Sequence, residues 1–253
     1  MAKLLNPKQQ LQHSIRTARE SVSLITASFA QPWLYNPSAS VRAVLGVWAR
    51  DSVRHLAATK VLAESGELVL VADCHYRQMF EIWLQVRHLL TFSGAARDEM
   101  AETVSASGCL DWLEKLKPVK DQPVVQPGYQ DMLAQLALYD PKLIARLKQK
   151  RTNRQWNWFG SSYTALARGV SDHYQDLASA YQIISAGTHG SWAVTLGVAQ
   201  PGPGKLDFKD YIDDDTLDLR ASQAVDLTAK LGVAIWNDIA QGVGAPVVAL
   251  SNS

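Results

Sequence analysis

LVLVADCHYRQMFEIWLQVRHLL, residues 68–90, is the stretch of sequence that decides the fold. It is apolar on nearly every side of a helix, which is typical of a helix in the centre of a bundle. Arg77, Glu81, Leu84 and His88 nevertheless recur on one face at helical spacing. The charged residues among them must have partners, because an isolated buried charge costs several kcal/mol or more.

Helical patterns continue on both sides of this stretch, whereas strand patterns are scarce. Weak strand character is confined to Val124 and to residues 194–198. We therefore predict an all-α fold, a single globular helical bundle of about ten helices with little or no strand, as one domain over residues 1–253. The predicted helices cover residues 6–30, 38–63, 67–92, two short segments within 96–117 broken at Ser107-Gly108, 129–138, 140–150, 161–168, 171–187 and about 213–242, with a proline-rich linker over 117–128.

The composition excludes several classes of protein. Of the 253 residues 47% are hydrophobic, which is too many for a disordered chain. The chain has 25 Lys and Arg residues and 24 Asp and Glu residues, so it is not a wholly cationic nucleic-acid binder. Two cysteines cannot form a disulfide scaffold, and no segment has the length and apolarity of a signal peptide or a membrane span. We expect a cytoplasmic protein with no membrane association.

A second polar row lies in SDHYQDLASAYQIISAGTHGSW, residues 171–192. Tyr181, Ser185 and His189 follow one another at intervals of four residues on the face that should be buried. Glu81 and Arg77 are their candidate partners. A contact between Glu81 and His189 would orient the imidazole and raise its basicity, as an acid–base pair requires.

Two interpretations of this polar cluster remain open. It is either a structural network that fixes how two helices pack, or a catalytic or ligand-binding pocket. The spacing of the His and Cys residues matches no metal site, and we predict neither a metal nor another cofactor.

Three motifs in this order resemble those of a bacterial helical family of unknown function. They are the R-x-x-x-E pair Arg77 and Glu81, the element W-x-G-x-S-x-x-x-L-A over 158–167, and the ending Y-x-x-x-S-x-x-x-H over 181–189. The resemblance covers about residues 45–195, with an N-terminal helix and a long C-terminal helix packed on this core. It implies a fold loosely similar to the HEPN class of helical nucleases and toxins. It also implies a shared cluster of Arg77, Glu81, Ser185 and His189.

The nuclease signature of the HEPN class, Arg followed after four to six residues by His, occurs at Arg50–His55 and at Arg168–His173. About one match is expected by chance for so short a pattern, so the two matches are not evidence for a nuclease. We interpret Arg50 and His55 as an exposed helix face.

A basic and aromatic stretch, KQKRTNRQWNWFG at 148–160, has two interpretations. Its cations can contact phosphates while its indoles stack on bases. Alternatively it is a solvated helix end followed by a loop whose tryptophans fill the core.

Two hypotheses for function follow. In the first the protein is a metal-independent enzyme or toxin of defence type that acts on RNA or a nucleotide. Glu81 and His189 are then the acid–base pair and Arg77 binds the anion, while Tyr181, Ser185, Trp158 and Ser162 are binding residues. In the second it is a non-catalytic interaction protein with a structural polar cluster, acting through a homodimer or another partner.

Overall fold

The computed structural model describes residues 5–31, 33–34, 37–65, 69–150, 158–160, 162–170, 200–202, 205–207 and 214–250. Helices account for most of these residues, so the predicted all-α fold class is confirmed. In the described part the helices are α1 (Pro7–Phe29), α2 (Ala39–Glu64), α3 (Val69–Leu90), α4 (Gly94–Leu116), α5 (Gln126–Leu136), α6 (Pro141–Lys150), α7 (Tyr163–Val170) and α8 (Asp214–Val243).

Four long helices, α1, α2, α3 and α8, enclose the main hydrophobic core. Helix α8 packs against the other three, and α2 also contacts α1 and α3. Leu45, Leu84 and Trp236 are completely buried there. Between α1 and α8 the buried hydroxyls of Ser14 and Ser222 hydrogen-bond at 2.9 Å, which satisfies both polar groups inside the apolar interface.

Shorter helices cover one side of this core. Helix α4 packs on α2 and α3, α5 and α6 pack on α4, and α7 packs on α3. Leu143, Ile144 and Leu147 of α6 meet Ala106 and Leu110 of α4 in a second, smaller apolar cluster. This arrangement leaves a space between α2, α4 and α5, which forms the cavity described below.

Local sequence explains where the helices begin. The Asn6 side chain accepts a hydrogen bond from the Gln9 amide while the Gln9 side chain accepts one from the Asn6 amide, a complete capping box at α1. Ser38 caps α2, and Asp140 precedes Pro141 at the start of α6. The predicted helix over 171–187 lies outside the described residues.

The break predicted at Ser107-Gly108 is wrong, because α4 runs through both residues. Glycine costs a helix about 1 kcal/mol, and the burial of Cys109 and Leu110 on the same turn outweighs this cost. The linker is also shorter than predicted: a 3₁₀ turn forms at Lys117–Val119, and α5 already begins at Gln126.

A small antiparallel hairpin joins Gln200–Gly202 (β1) to Lys205–Asp207 (β2). These two strands of three residues each are the strands in the described part of the chain, consistent with the prediction of little or no strand. Val124 lies in a turn, so the strand character suggested for it is wrong. Residues 194–198 lie outside the described ranges.

Helix α8 ends at a glycine that the geometry requires. Gly244 has a φ of 68°, and the Ala245 amide donates to the Ala240 carbonyl at 2.8 Å. The chain then returns along α8, where the Asn237 side chain binds both the amide and the carbonyl of Val248. Among the described helices, none has the length and apolarity needed to cross a membrane.

Candidate functional site

Arg77 and Glu81 form the ion pair that the apolar character of α3 predicted. Arg77 Nε lies 3.0 Å from Glu81 Oε1, and each of the two side chains is 21% exposed to solvent. The pair is therefore half-buried rather than sealed in the core. Two residues separated by four positions on a helix lie side by side, so the pairing follows directly from the spacing.

The other half of the predicted cluster cannot be placed. Tyr181, Ser185 and His189 lie outside the described residues. Their contact with Arg77 and Glu81 stays a prediction.

Gln85 continues the row of Arg77 and Glu81 by one further helical turn. Its amide nitrogen donates to the Glu81 carbonyl at 3.2 Å and to the Tyr163 hydroxyl at 3.1 Å, while its oxygen accepts from Trp158 Nε1 at 2.9 Å. Sequence analysis missed Gln85 and placed Leu84 on this face instead. Leu84 is completely buried in the core, whereas the interval of four residues after Glu81 pointed to Gln85.

Trp158 is held at this position by aromatic neighbours from two helices. Its ring stacks on Trp48 of α2, with centroids 6.0 Å apart, and contacts His88 of α3 at 5.5 Å. Burial lowers the pKa of His88, so its imidazole is neutral at neutral pH. The predicted binding residue Trp158 therefore joins α2 and α3.

Ser162 has a structural contact in the described chain. Its hydroxyl accepts a hydrogen bond from the Ala165 amide at 3.1 Å, immediately before α7 begins. This is the contact of a helix N-cap, and it places Tyr163 against Gln85. The binding role predicted for Ser162 stays a prediction.

A cavity of about 460 Å³ opens between α2, α4 and α5 beside Gln85 and Trp158. Aromatic rings form much of its wall, and several hydrogen-bonding side chains, one of them a carboxylate, line the same space. Its aromatic residues are Trp48, Trp112, Tyr139 and Trp158, and its polar residues are Gln85, Ser105, Ser107, Asp111 and Gln135. An aromatic cavity with a few polar groups is typical of a site for a planar organic ligand.

Two ionisable residues at this cavity, which are uncharged at neutral pH, become still harder to ionise because they are buried. Burial raises the pKa of Tyr139 despite a hydrogen bond with Ser105, and burial raises the pKa of the Cys109 thiol. Cys109 is a free, buried cysteine, consistent with a packing role rather than that of a nucleophile. Apart from the carboxylate of Asp111, the cavity thus offers hydrogen bonds and aromatic surface rather than charge.

A pair of histidines joins α2 to α3 elsewhere on the molecule. Nδ1 of His55 lies 3.0 Å from Nδ1 of His75, and both side chains are half-buried. The prediction that His55 belongs to an exposed face is therefore wrong, whereas Arg50 is exposed as predicted. Within the described residues, no group of three or more His, Cys, Asp or Glu side chains could hold a metal ion.

Comparison of the chain with models of protein families, with curated protein sequences and with solved structures gave no match.

Proposed function

We propose that the protein binds a nucleotide, free or within RNA, with the base in the cavity beside Gln85, and acts on it without a metal. The observation that carries this proposal is the aromatic wall of the cavity. Trp48, Trp112 and Trp158 present indole surface to it, and indoles stack on any of the bases. Both N–H groups of Gln85 are already used, but its amide oxygen has a second lone pair that can accept a hydrogen bond from the edge of a base.

The ion pair of Arg77 and Glu81 supports a reaction next to this cavity. Arg77 lies eight residues before Gln85 on α3, which corresponds to about 12 Å along the helix axis. A nucleotide whose base contacts Gln85 can therefore extend its sugar and phosphate along this face. In this proposal Glu81 and His189 exchange a proton with the substrate, and Arg77 stabilises charge on the phosphate. The protein would do this in a bacterial cytoplasm, as a HEPN-like enzyme or toxin.

Titration calorimetry with adenosine and uridine monophosphates tests the binding step. Trp112 is 57% exposed, so Trp112→Ala should leave the fold intact while removing one wall of the cavity. We expect the variant to lose about 1–3 kcal/mol of binding free energy, the value of one stacked base. Val61→Ala, at a position of α2 that is also 57% exposed, is the matched control and should bind as the wild type does. Equal affinity in all three proteins would refute the proposal.

RNA turnover by His189→Ala and Glu81→Gln tests the chemical step. We expect turnover to disappear in both variants while the melting temperature changes little. Glu114→Gln, at an exposed position of α4, is the control and should retain turnover. If both site variants instead lose about 1–3 kcal/mol of stability and keep turnover, the cluster is a structural network.

A second candidate function is that of a non-catalytic interaction protein. It is favoured by large apolar side chains that remain exposed around α5: Val124 is 86% exposed and Leu138 is 85% exposed. Burying them against a second copy of the chain would give a homodimer. Sedimentation equilibrium of the wild type and of a Val124→Ser/Leu138→Ser variant tests this. A wild type that stays monomeric would refute the dimer.

A further inference from the structure

Positive charge is concentrated in one short part of the chain. Residues 141–154 hold six of the 25 Lys and Arg residues and none of the 24 Asp and Glu residues. The chain as a whole carries a net charge of only +1, so the rest of it is acidic on balance. Such a local excess of cations is typical of a surface that binds a polyanion.

Helix α6 arranges three of these cations along one edge. Lys142, Arg146 and Lys150 recur every four residues, so they lie above one another on the helix, and all three are exposed. We call them the basic edge. The neighbouring face of α6 is apolar and is already covered, because Leu143 and Leu147 are buried against α4.

A second cavity, of about 260 Å³, lies between α4 and α6 next to the basic edge. Arg146 and Lys150 line it together with Phe92 and Trp158. Trp158 also lines the larger cavity, so the two spaces share this indole as part of their walls. Arg146 Nη2 lies 3.2 Å from Glu99 Oε1, but both side chains are more than half exposed, so this pair is weak and a phosphate can replace the carboxylate.

We propose that the basic edge binds the phosphodiester backbone of single-stranded RNA, so that the substrate is a strand rather than a free nucleotide. This inference rests on the proposed function, in which one base of the strand occupies the cavity beside Gln85. Phosphates on the far side of Trp158 then contact Arg146 and Lys150, and the strand continues towards Lys142. An anionic membrane fits the surface less well, because the apolar face of α6 that would insert is buried in the protein.

Fluorescence anisotropy with a labelled oligouridylate of about 12 nucleotides, measured over a range of KCl concentrations, tests the inference. The test variant is Lys142→Gln/Lys150→Gln. Its control is Lys115→Gln/Lys117→Gln, which removes the same charge from two exposed lysines at the end of α4. Each lost phosphate contact should reduce the salt slope by about 0.7, so affinity at about 0.1 M KCl should fall about 25-fold in the test variant alone. An equal loss of affinity in the test and control variants, or no loss in either, would overturn the inference.

Two further measurements separate this inference from the proposed function. Binding of uridine monophosphate should be almost unchanged in the test variant, because the cavity beside Gln85 is intact. If the monophosphate binds but the oligouridylate shows no dependence on the basic edge, the inference fails and the proposed function stands. If binding of the oligouridylate depends on the basic edge but Trp112→Ala changes the binding of neither the monophosphate nor the oligouridylate, the proposed function fails. In sedimentation with vesicles that contain about 30% phosphatidylserine, the protein must bind the vesicles more weakly than it binds the RNA. Stronger binding to the vesicles would overturn the inference.

Discussion

The hydrogen bond between His55 and His75 should make the stability of the protein depend on pH. One imidazole must donate and the other must accept, which is impossible once both rings are protonated. Burial, and then the neighbouring His75, lower the pKa of His55 although Asp51 acts in the opposite direction. Burial also lowers the pKa of His75. The unfolded chain therefore takes up protons at a higher pH than the folded chain, and stability falls as the pH drops below about 6.5.

The geometry sets the size of this effect. In the neutral state a hydrogen bond of 3.0 Å stabilises the fold by about 0.5–1.5 kcal/mol. In the doubly charged state, ring centroids 5.2 Å apart repel by about 0.8 kcal/mol at the dielectric constant of water and by about 3 kcal/mol at an effective value of 20. As the pH falls and the rings take up protons, the coupling energy between the two residues should therefore decrease from about 1 kcal/mol of attraction, and about 1–3 kcal/mol of repulsion is the limit for two charged rings.

A double-mutant cycle of His55→Ala, His75→Ala and the combined variant measures this coupling directly. Urea unfolding of the four proteins at about pH 8 and about pH 5 gives the two coupling energies. His88→Ala is the control, because burial also lowers the pKa of His88 but that ring has aromatic neighbours rather than a second histidine. A coupling energy that is the same at both pH values would refute the reasoning.

Three other substitutions have expected outcomes that urea unfolding can check. Asp238→Ala should destabilise the fold by about 1–3 kcal/mol, because Asp238 accepts a hydrogen bond of 2.8 Å from the Trp83 indole, and an unchanged stability would contradict this contribution. Asn6→Ala should cost about 1 kcal/mol through loss of the capping box, whereas Ser93→Ala should cost little, because the Ser93 side chain makes no capping bond. Gly108→Ala should stabilise by about 0.5–1 kcal/mol, since a new Cβ there meets no atom within 4 Å, and a loss of stability would show hidden crowding.

Local chemistry made much of the fold predictable. The caps at Ser38 and Asp140 mark the starts of α2 and α6, and the apolar stretch at 68–90 identifies a core helix. The prediction failed at Gly108, because a glycine that breaks an isolated helix is tolerated where neighbouring residues on the same turn are buried. Helix propensity, which depends on the local sequence alone, does not include the stabilisation that comes from burying these neighbours in the tertiary structure.

The site was predictable only where its contacts are local in sequence. Arg77 and Glu81 are one helical turn apart, so their pairing follows from spacing. The stacking of Trp48 on Trp158 joins residues more than 100 positions apart, and no pattern in the sequence indicates it. The cavity has the same origin, because its walls come from four helices and from the segments that hold Tyr139 and Trp158.

The position of α8 has a consequence for how the protein is made. The Ser14 and Ser222 hydroxyls meet across 208 residues of sequence, and α1 is translated long before the helix that covers it. While the ribosome is still synthesising the middle of the chain, the apolar face of α1 that will pack on α8 has no permanent cover and is open to aggregation. Completion of the core must therefore wait until translation has passed residue 243, and this delay makes the nascent protein a candidate for chaperone assistance.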